Sequence, residues 1–381
     1  MNRYNAYLLI FLISSINTFG QSLSINYDLN PKVYNISEPL NLWLDFLKTK
    51  DDLKGSKYWN SEEVEKYGDT SYFLIEKALD FGTDNYLHLL SYSDIKVLSI
   101  RKIQEYYKIT SLMEFPRKDT ISNIQYIFSV YATKDKNEKL KLYNPLEINA
   151  KLFLSSTKIE FINFHYPKTH KFNLELAKKQ NEFLKDFSKS FNVPLDTIDY
   201  YFASTEEELQ KIKGFDFYIG GNGEQIPSGK ADPENRIVYS TGLEEYYPHE
   251  FIHVLLNPHY PNMHNWISEG IATYFSMSRG KSLNWHLEKL NLHLIQHPEI
   301  DLNNMLELRN LDQYTDYRYA LGGFIIKKAF EKGGYELIKD LMKAGKSDED
   351  FYKAIKEYLN IDRNDLNKVT RDELKTTYNH N

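Results

Sequence analysis

The sequence predicts an α+β fold in which strands come early and helices come late. Short stretches rich in β-branched and aromatic residues recur between Tyr106 and Ser240, whereas the chain after Tyr246 has a helical pattern throughout. This order is typical of α+β proteins. A length of 381 residues favours more than one domain, and we place a boundary near residues 155–157.

The first 20 residues have the pattern of a secretory signal peptide. Arg3 provides a positive start, Ala6–Ile13 is the apolar run, and Thr18 and Gly20 are small residues ahead of a cleavage before Gln21. An apolar run this short does not reach the roughly 20 residues that a bilayer requires. We therefore predict export to the periplasm or the extracellular space, with no membrane span in the mature chain.

Residues 21–155 are predicted to form a small α+β accessory domain. Two stretches have apolar residues at helical spacing, Ser37–Lys50 and Tyr72–Phe81. Three others are predicted strands of an antiparallel sheet, Tyr106–Phe115, Ile124–Thr133 and Leu140–Phe153. The domain carries no recognisable chemical motif, so we assign it an accessory role. The alternative is that it dominates function as a binding module.

The second predicted domain, residues 156–381, begins with strands and one long helix. The predicted elements, in order, are a strand at Lys158–Phe164, helices at Asn173–Phe191 and Glu206–Ile212 with a strand at Ile198–Ala203 between them, a loop at Gly214–Asp232, and a strand at Arg236–Ser240. The loop is predicted from its content of Gly, Pro and Asn. Helices follow, so the domain repeats the order of sheet first and helices later.

The composition narrows the chemistry that the chain can perform. It has no cysteine, which excludes disulfides, thiolate catalysis and thiolate metal sites. Any metal must therefore be held by His, Asp or Glu. The net charge is -6 with no long run of either sign, so the basic footprint of a nucleic-acid-binding protein is absent. We predict no nucleic-acid partner.

One motif carries a specific chemistry, because residues 249–253 read His-Glu-Phe-Ile-His. His249 and His253 stand one helical turn apart on the same face, where both imidazoles can bind one tetrahedral zinc ion. Glu250 follows the first histidine, as the general base does in the H-E-x-x-H pattern of metalloproteases. About 0.02 such matches are expected by chance in a chain of this composition. The residues around the histidines are apolar, which predicts a buried helix in which histidines need partners.

With the segment Trp266–Phe275, which reads W-I-S-E-G-I-A-T-Y-F, the motif resembles the aminopeptidase-like branch of the gluzincin zinc peptidases. The resemblance implies a zincin-like catalytic domain with a mixed sheet and edge strand, an active-site helix and a helical C-terminal part. It also implies that Glu269 completes a site for one Zn²⁺ per chain, although Ser268 stands where relatives have Asn. Two imidazoles and one carboxylate leave an open coordination position, as catalytic zinc requires. His259 and His264 are the competing third ligands.

The resemblance implies two further roles. Tyr319 matches the tyrosine that stabilises the developing oxyanion, with Gly322 as its accompanying glycine; Tyr314 and Tyr317 are the alternatives. Thr273 stands where some relatives place an Asp that supports a zinc histidine, and its hydroxyl can accept a hydrogen bond without bringing a charge.

The predicted strand before the zinc helix stands where gluzincins keep the edge strand that binds the substrate backbone. An extended peptide can pair with such a strand by strand addition, and an interior strand is the alternative. The candidate substrate-binding residues are Arg236, Ile237, Val238, Tyr239 and Ser240.

A second group of histidines also has helical spacing. His293 and His297 stand at i and i+4, with His286 on the same face, but no acid lies between them. The leucines of this segment form the predicted buried stripe, so we expect the histidines to face solvent.

The resemblance implies a secreted zinc metallopeptidase, a hydrolase that acts on peptide or protein substrates. The G-x-M-E-N segment with which aminopeptidases bind a free amino terminus is absent, so an endopeptidase is favoured. One alternative is a catalytically silent zinc-binding protein that holds a partner, against which the intact Glu250 argues. The other is a hydrolase of a non-peptide substrate.

Overall fold

The computed structural model describes most of the chain after the predicted signal peptide. The described residues are 22–48, 57–71, 93–115, 123–219, 226–242 and 244–378. Residues 1–20 and the predicted helix Tyr72–Phe81 lie outside these ranges. Within them, no helix has the length and apolar character needed to cross a membrane.

Strands and helices both contribute to the fold. The strands are β1 Leu23–Ile25, β2 Asp94–Ile103, β3 Tyr106–Phe115, β4 Asn123–Lys134, β5 Leu140–Tyr143, β6 Leu154–Ile159, β7 Ile162–Pro167, β8 Ile198–Ala203, β9 Phe215–Tyr218, β10 Ser228–Asp232 and β11 Ile237–Thr241. The α-helices are α1 Pro31–Tyr34, α2 Ser37–Leu47, α3 Ser61–Ser71, α4 Pro145–Phe153, α5 Leu174–Phe191, α6 Glu206–Ile212, α7 Pro248–Leu256, α8 Asn265–Phe275, α9 Leu283–Gln296, α10 Gly323–Lys343, α11 Asp348–Ala354 and α12 Leu366–Tyr378. Short 3₁₀ or π turns cover Leu302–Glu307, Arg318–Gly322, Ile355–Leu359 and Arg363–Asp365. The described chain is α+β, and only helical elements follow β11 in this order.

The chain divides into two compact units. The first is Met1–Leu152 with Gln210–Gly223, and the second is Phe153–Leu209 with Glu224–Asn381. The predicted boundary lies near residues 155–157 and puts residues 210–223 in the second domain. The difference arises because β9, which lies in a predicted loop, pairs with β4 of the first unit.

The first unit is built on a six-stranded sheet. Strands β1 to β5 are neighbours in sequence order, and β9 also pairs with β4. Trp43 and Phe46 of α2 are fully buried, and the Trp43 ring lies 6.1 Å from that of Phe128 on β4. Trp43 Nε1 donates to the buried Ser111 Oγ at 3.0 Å, so this indole is both packed and hydrogen-bonded.

Two predicted strands are wrong in their extent. Leu140–Phe153 is a strand only as far as Tyr143, because Asn144 Oδ1 caps a new helix by accepting from Leu146 N at 2.9 Å. Pro145, whose ring suits a first helical turn, begins that helix. Lys158–Phe164 is broken into β6 and β7 by a turn in which Glu160 has a φ of 46°.

The second unit contains a five-stranded mixed sheet in the order β10–β11–β8–β7–β6. Strands β7, β8 and β11 are parallel, whereas β10 and β6 run antiparallel at the two edges. Phe164, Tyr200 and Val238, from adjacent strands, are buried in one core with Phe251 and Ile252 of α7. The predicted elements that correspond to α5, α6 and β8 are confirmed.

The strand assigned to substrate binding is an interior strand. β11 pairs with β10 on one side and β8 on the other, so its backbone is not available to a peptide. Arg236 precedes it with a φ of 55°, and its guanidinium lies 3.2 Å from Asp196 Oδ2 and donates to Thr197 O at 3.1 Å. The edge on this side is β10, part of the predicted loop Gly214–Asp232. β10 pairs with β11 as a hairpin through a connection of four residues, and the Gly- and Pro-rich composition of the segment conceals this strand.

Candidate metal centre

Helix α7 carries three of the predicted site residues. It begins at Pro248, where no backbone N–H is required, and every one of its residues is buried. His249 and His253 stand one turn apart, with their ring centroids separated by 5.1 Å. Because a buried imidazole must be hydrogen-bonded or bound to a metal, the surroundings of these two rings decide what they can do.

Helix α8 brings a carboxylate to both histidines. Glu269 Oε2 lies 3.3 Å from His249 Nε2 and 3.7 Å from His253 Nε2. One potential ligand atom from each of the three residues lies within 4.8 Å of the other two. The structure therefore brings together the three side chains that the sequence predicts as metal ligands.

The two competing third ligands do not join this group. His264 Nδ1 accepts from Trp266 N at 3.2 Å and caps the start of α8. His264 Nε2 lies 3.4 Å from Asp348 Oδ1. His259 is exposed. Both rings are thus separate from the pair on α7 among the described residues.

Hydrogen bonds to the other ring nitrogens leave both Nε2 atoms free for a metal. His249 Nδ1 lies 2.7 Å from Met277 O, and a carbonyl can only accept, so Nδ1 carries the proton. His253 Nδ1 lies 3.1 Å from Ser268 Oγ, which itself donates to Asn257 Oδ1 at 3.3 Å. Ser268 therefore accepts from His253. In its neutral form each ring therefore has its lone pair on Nε2, the nitrogen on the side of Glu269, as in metal-binding histidines.

The charges in this group favour a cation. Burial disfavours ionisation of Glu269, but His253 and His249 together hold the pKa of Glu269 well below its usual value. Burial also lowers the pKa of His253, but the adjacent Glu269 outweighs it and raises that pKa above its usual value. The carboxylate is thus ionised and needs positive charge beside it. Two imidazole nitrogens and one carboxylate oxygen are a donor set that suits zinc.

Tyr247 and Gly229 border the site, and neither is among the predicted site residues. The Tyr247 hydroxyl donates to Glu250 Oε1 at 3.3 Å, and its ring stacks on His249 with centroids 6.3 Å apart. A Cβ on Gly229 of β10 would lie 2.7 Å from both the Tyr247 hydroxyl oxygen and Glu250 Cγ. The edge strand therefore passes directly against the predicted general base. Tyr247 lies outside the motif and Gly229 lies in a predicted loop, so local patterns do not reveal either.

Tyr319 lies closest to the site of the three candidate tyrosines. It belongs to the π turn, and its ring centroid lies 6.2 Å from that of His249. The ring of Tyr314 contacts Trp285 instead, and that of Tyr317 contacts His293. Burial raises the pKa of Tyr319 above its usual value, and the charge of Glu269 raises it further. Its hydroxyl therefore stays protonated and able to donate.

A contact between two glycines places this π turn against α8. A Cβ on Gly270 would lie 2.5 Å from the carbonyl carbon and oxygen of Gly322. A Cβ on Gly322 would lie 2.5 Å from Trp266 O. Only residues without a side chain allow this approach, which brings the segment of Tyr319 close to the segment of Glu269.

Two predictions about neighbouring residues are wrong. Thr273 is buried, but its hydroxyl has no hydrogen-bond partner among the described residues and supports neither histidine. Ser268, five residues earlier on α8, accepts from His253 Nδ1 instead. His286 does not face solvent: it is 0% exposed, with Nδ1 3.0 Å from Thr315 Oγ1 and Nε2 3.1 Å from Ser278 O. The leucine stripe of α9 is buried as predicted.

Replacing Ser268 with Ala is expected to weaken zinc binding about 10-fold, because His253 loses the acceptor that orients its ring. Competition with a chromophoric chelator measures the affinity. Thr273→Val is the matched control, since it removes a hydroxyl of α8 that has no partner, and it is expected to leave the affinity unchanged. A larger loss in Thr273→Val than in Ser268→Ala would contradict this arrangement.

No protein-family model matches the chain, and no curated protein matches its sequence. The residues of this site are therefore the basis for inferring a function.

Proposed function

We propose that the chain is an exported zinc metallopeptidase of the gluzincin type, with His249, His253 and Glu269 as ligands of one zinc ion. Export rests on the N-terminal pattern of the sequence. The observation that carries the proposal is the convergence of three ligand atoms within 4.8 Å of one another. Glu250, the residue after the first ligand, lies on the same helix and is 8% exposed.

When bound at these residues, zinc supplies Lewis-acid chemistry, which polarises a carbonyl and makes water acidic enough to act as a nucleophile near neutral pH. Glu250 is the general base: it accepts a proton from the attacking water and passes it to the leaving amine. The Tyr247 hydroxyl, bound to Oε1, holds this carboxylate in place. The second carboxylate oxygen is left to face the water.

Tyr319 is the proposed donor to the oxygen of the scissile carbonyl as negative charge develops there. Its half-buried position and its contact with the His249 ring fit this role, because a donor that is already held in place loses no energy in reorienting during the reaction. Tyr314 and Tyr317 lack that contact.

Strand β10 is the proposed binding edge for an extended peptide, in place of β11. The described residues give β10 one strand neighbour, so its other edge can pair with a substrate backbone. Gly229 sets this edge against Glu250 and Tyr247. A peptide on β10 would therefore pass beside the general base and continue in both directions, which suits internal cleavage.

Metal content and peptide cleavage, measured on one preparation of residues 21–381, test the proposal. We expect one equivalent of zinc and internal cleavage of unstructured peptides, both lost on chelation and restored by adding zinc. Zinc without cleavage of any peptide would favour the silent zinc-binding alternative. A preparation that binds no zinc would contradict the ligand assignment and the function built on it.

A further inference from the structure

A tight turn directly follows α8 and carries an unusual residue. Ser278 and Lys281 exchange both of their backbone hydrogen bonds at 2.9 Å, and the two residues between them have positive φ, 51° at Arg279 and 71° at Gly280. This is the pattern of a type I′ hairpin turn, which favours Asn-Gly or Asp-Gly. A long side chain such as that of Arg is uncommon in the left-handed region. Arg279 thus occupies a position that turn preference alone would give to Asn.

The turn is held in place by two histidines. The residue before it, Met277, accepts through its carbonyl from His249 Nδ1 at 2.7 Å. Ser278, the first residue of the turn, accepts through its carbonyl from His286 Nε2 at 3.1 Å. The backbone that carries Arg279 is therefore tied directly to a proposed metal ligand, and its position relative to the site is set.

The charge of Arg279 has no partner among the described residues. The side chain is half-buried, and the described residues give it neither a hydrogen bond nor an ion pair. The guanidinium belongs to the second residue after Met277, whose carbonyl accepts from His249 Nδ1 at 2.7 Å. Arg279 is therefore a half-buried cation on a turn that lies directly beside the proposed metal site.

The other charges around the site have partners. Glu269 lies against two histidines, Glu250 accepts from Tyr247, and Arg318 forms a two-point contact with Asp316 at 3.2 and 3.0 Å. A bound divalent cation offsets the two carboxylates. Of these side chains, as the structure describes them, Arg279 alone is then left without an opposite charge, and a half-buried guanidinium gains from a carboxylate that it can bind through two N–H groups.

We propose that Arg279 selects peptides that carry a carboxylate close to the scissile bond, by forming an ion pair with that carboxylate. The inference rests on the proposed peptidase function. The carboxylate is either the side chain of an Asp or Glu residue or the free carboxyl terminus of the substrate. The first source describes an endopeptidase with acidic specificity, and the second describes removal of short C-terminal fragments.

Matched peptides distinguish the two sources. One set of internally quenched peptides contains pairs that differ only by Glu or Gln at a single position, and these pairs report a preference for an acidic side chain. A second set contains pairs that differ only by a free or an amidated C-terminus, and these pairs report a preference for a terminal carboxylate. In the wild type, we expect kcat/KM to be about 10- to 100-fold higher for the carboxylate member of one pair, mainly through KM.

The decisive variant is Arg279→Asn, because Asn-Gly is the preferred sequence for this turn and the variant is expected to fold with an unchanged or higher Tm. The ratio of kcat/KM between the carboxylate peptide and its neutral partner is expected to fall to about one in Arg279→Asn and to be partly retained in Arg279→Lys. Lys281→Met is the matched control. It removes a cation of the same turn whose Nζ lies over the Trp285 ring, 5.4 Å from its centroid, and should keep the full preference.

Binding of the same peptides to the Glu250→Gln background, measured by calorimetry, provides a readout that does not require turnover. A Kd ratio between carboxylate and amide peptides that disappears in Arg279→Asn supports the proposal whether or not cleavage is detected. A Kd ratio that persists when Arg279→Asn is added to Glu250→Gln overturns the proposal. Equal binding of both members of every pair by Glu250→Gln with Arg279 intact also overturns it. Cleavage of neutral peptides in that last case would leave the peptidase function standing.

Discussion

Glu250→Gln is expected to lower kcat about 1,000-fold while the chain keeps its zinc, since a general base contributes roughly 10²- to 10⁴-fold. Gln has nearly the same shape as Glu, and its amide oxygen can still accept from the Tyr247 hydroxyl at the 3.3 Å contact. The substitution therefore removes the ability to accept a proton and leaves the packing of α7 in place. Zinc content and KM are expected to stay close to the wild-type values.

The measurement is single-substrate kinetics with metal analysis on the same samples. Glu244→Gln is a matched control, because this carboxylate belongs to an exposed residue a few positions before α7 and has no role in the proposed chemistry. Near-full activity in Glu250→Gln would contradict the proposed mechanism. Loss of zinc together with activity would instead mean that Glu250 supports the metal site.

Glu269→Gln is expected to lower zinc affinity at least about 100-fold, because a charged ligand is replaced by a neutral amide. The two histidines would then hold the ion without the carboxylate that now lies 3.3 and 3.7 Å from their Nε2 atoms. Activity at limiting zinc is expected to fall in parallel. A ligand that binds only the folded state stabilises it, so the rise in Tm on adding zinc is expected to be smaller in this variant than in the wild type.

A competition titration with a chelator and a thermal shift series in zinc measure these two effects. Glu288→Gln, on the exposed surface of α9, is the control for removing one carboxylate. His264→Ala tests the rival ligand. If His264→Ala lost zinc while Glu269→Gln kept it, the proposed ligand set would be incorrect.

The parts of the site that depend on spacing along one helix could be predicted from the sequence. His249 and His253 share a face of α7 because the helical period alone determines it. Glu269 lies on a second helix, and no local rule states that α8 turns that residue toward α7. Its assignment needed the resemblance to a known family, and the structure places its carboxylate against both rings.

Features that depend on long-range packing were not predictable in the same way. Ser268 and Thr273 are both small hydroxyl residues of α8, and the rotation of that helix on its neighbours decides that Ser268 contacts His253. β11 is an interior strand because it pairs with the distant β8 on one side and, through a short hairpin, with β10 on the other. His286 was expected at the surface because its leucine neighbours define one buried stripe, but the segment around Thr315 covers it.

The contact between Gly270 and Gly322 positions the segments of both Glu269 and Tyr319. Proposed metal binding and proposed oxyanion stabilisation therefore depend on the same backbone contact. A side chain at either position would push α8 and the π turn apart. Glu269 and Tyr319, which lie on these two segments, would then move away from each other. Each added Cβ would meet main-chain atoms of the opposite segment, so no change of side chain elsewhere relieves the collision. The positions of the proposed metal ligand and of the proposed oxyanion donor therefore depend on the same backbone contact. In searches for distant relatives, a Glu-Gly pair and a Tyr-x-x-Gly pair should be required together.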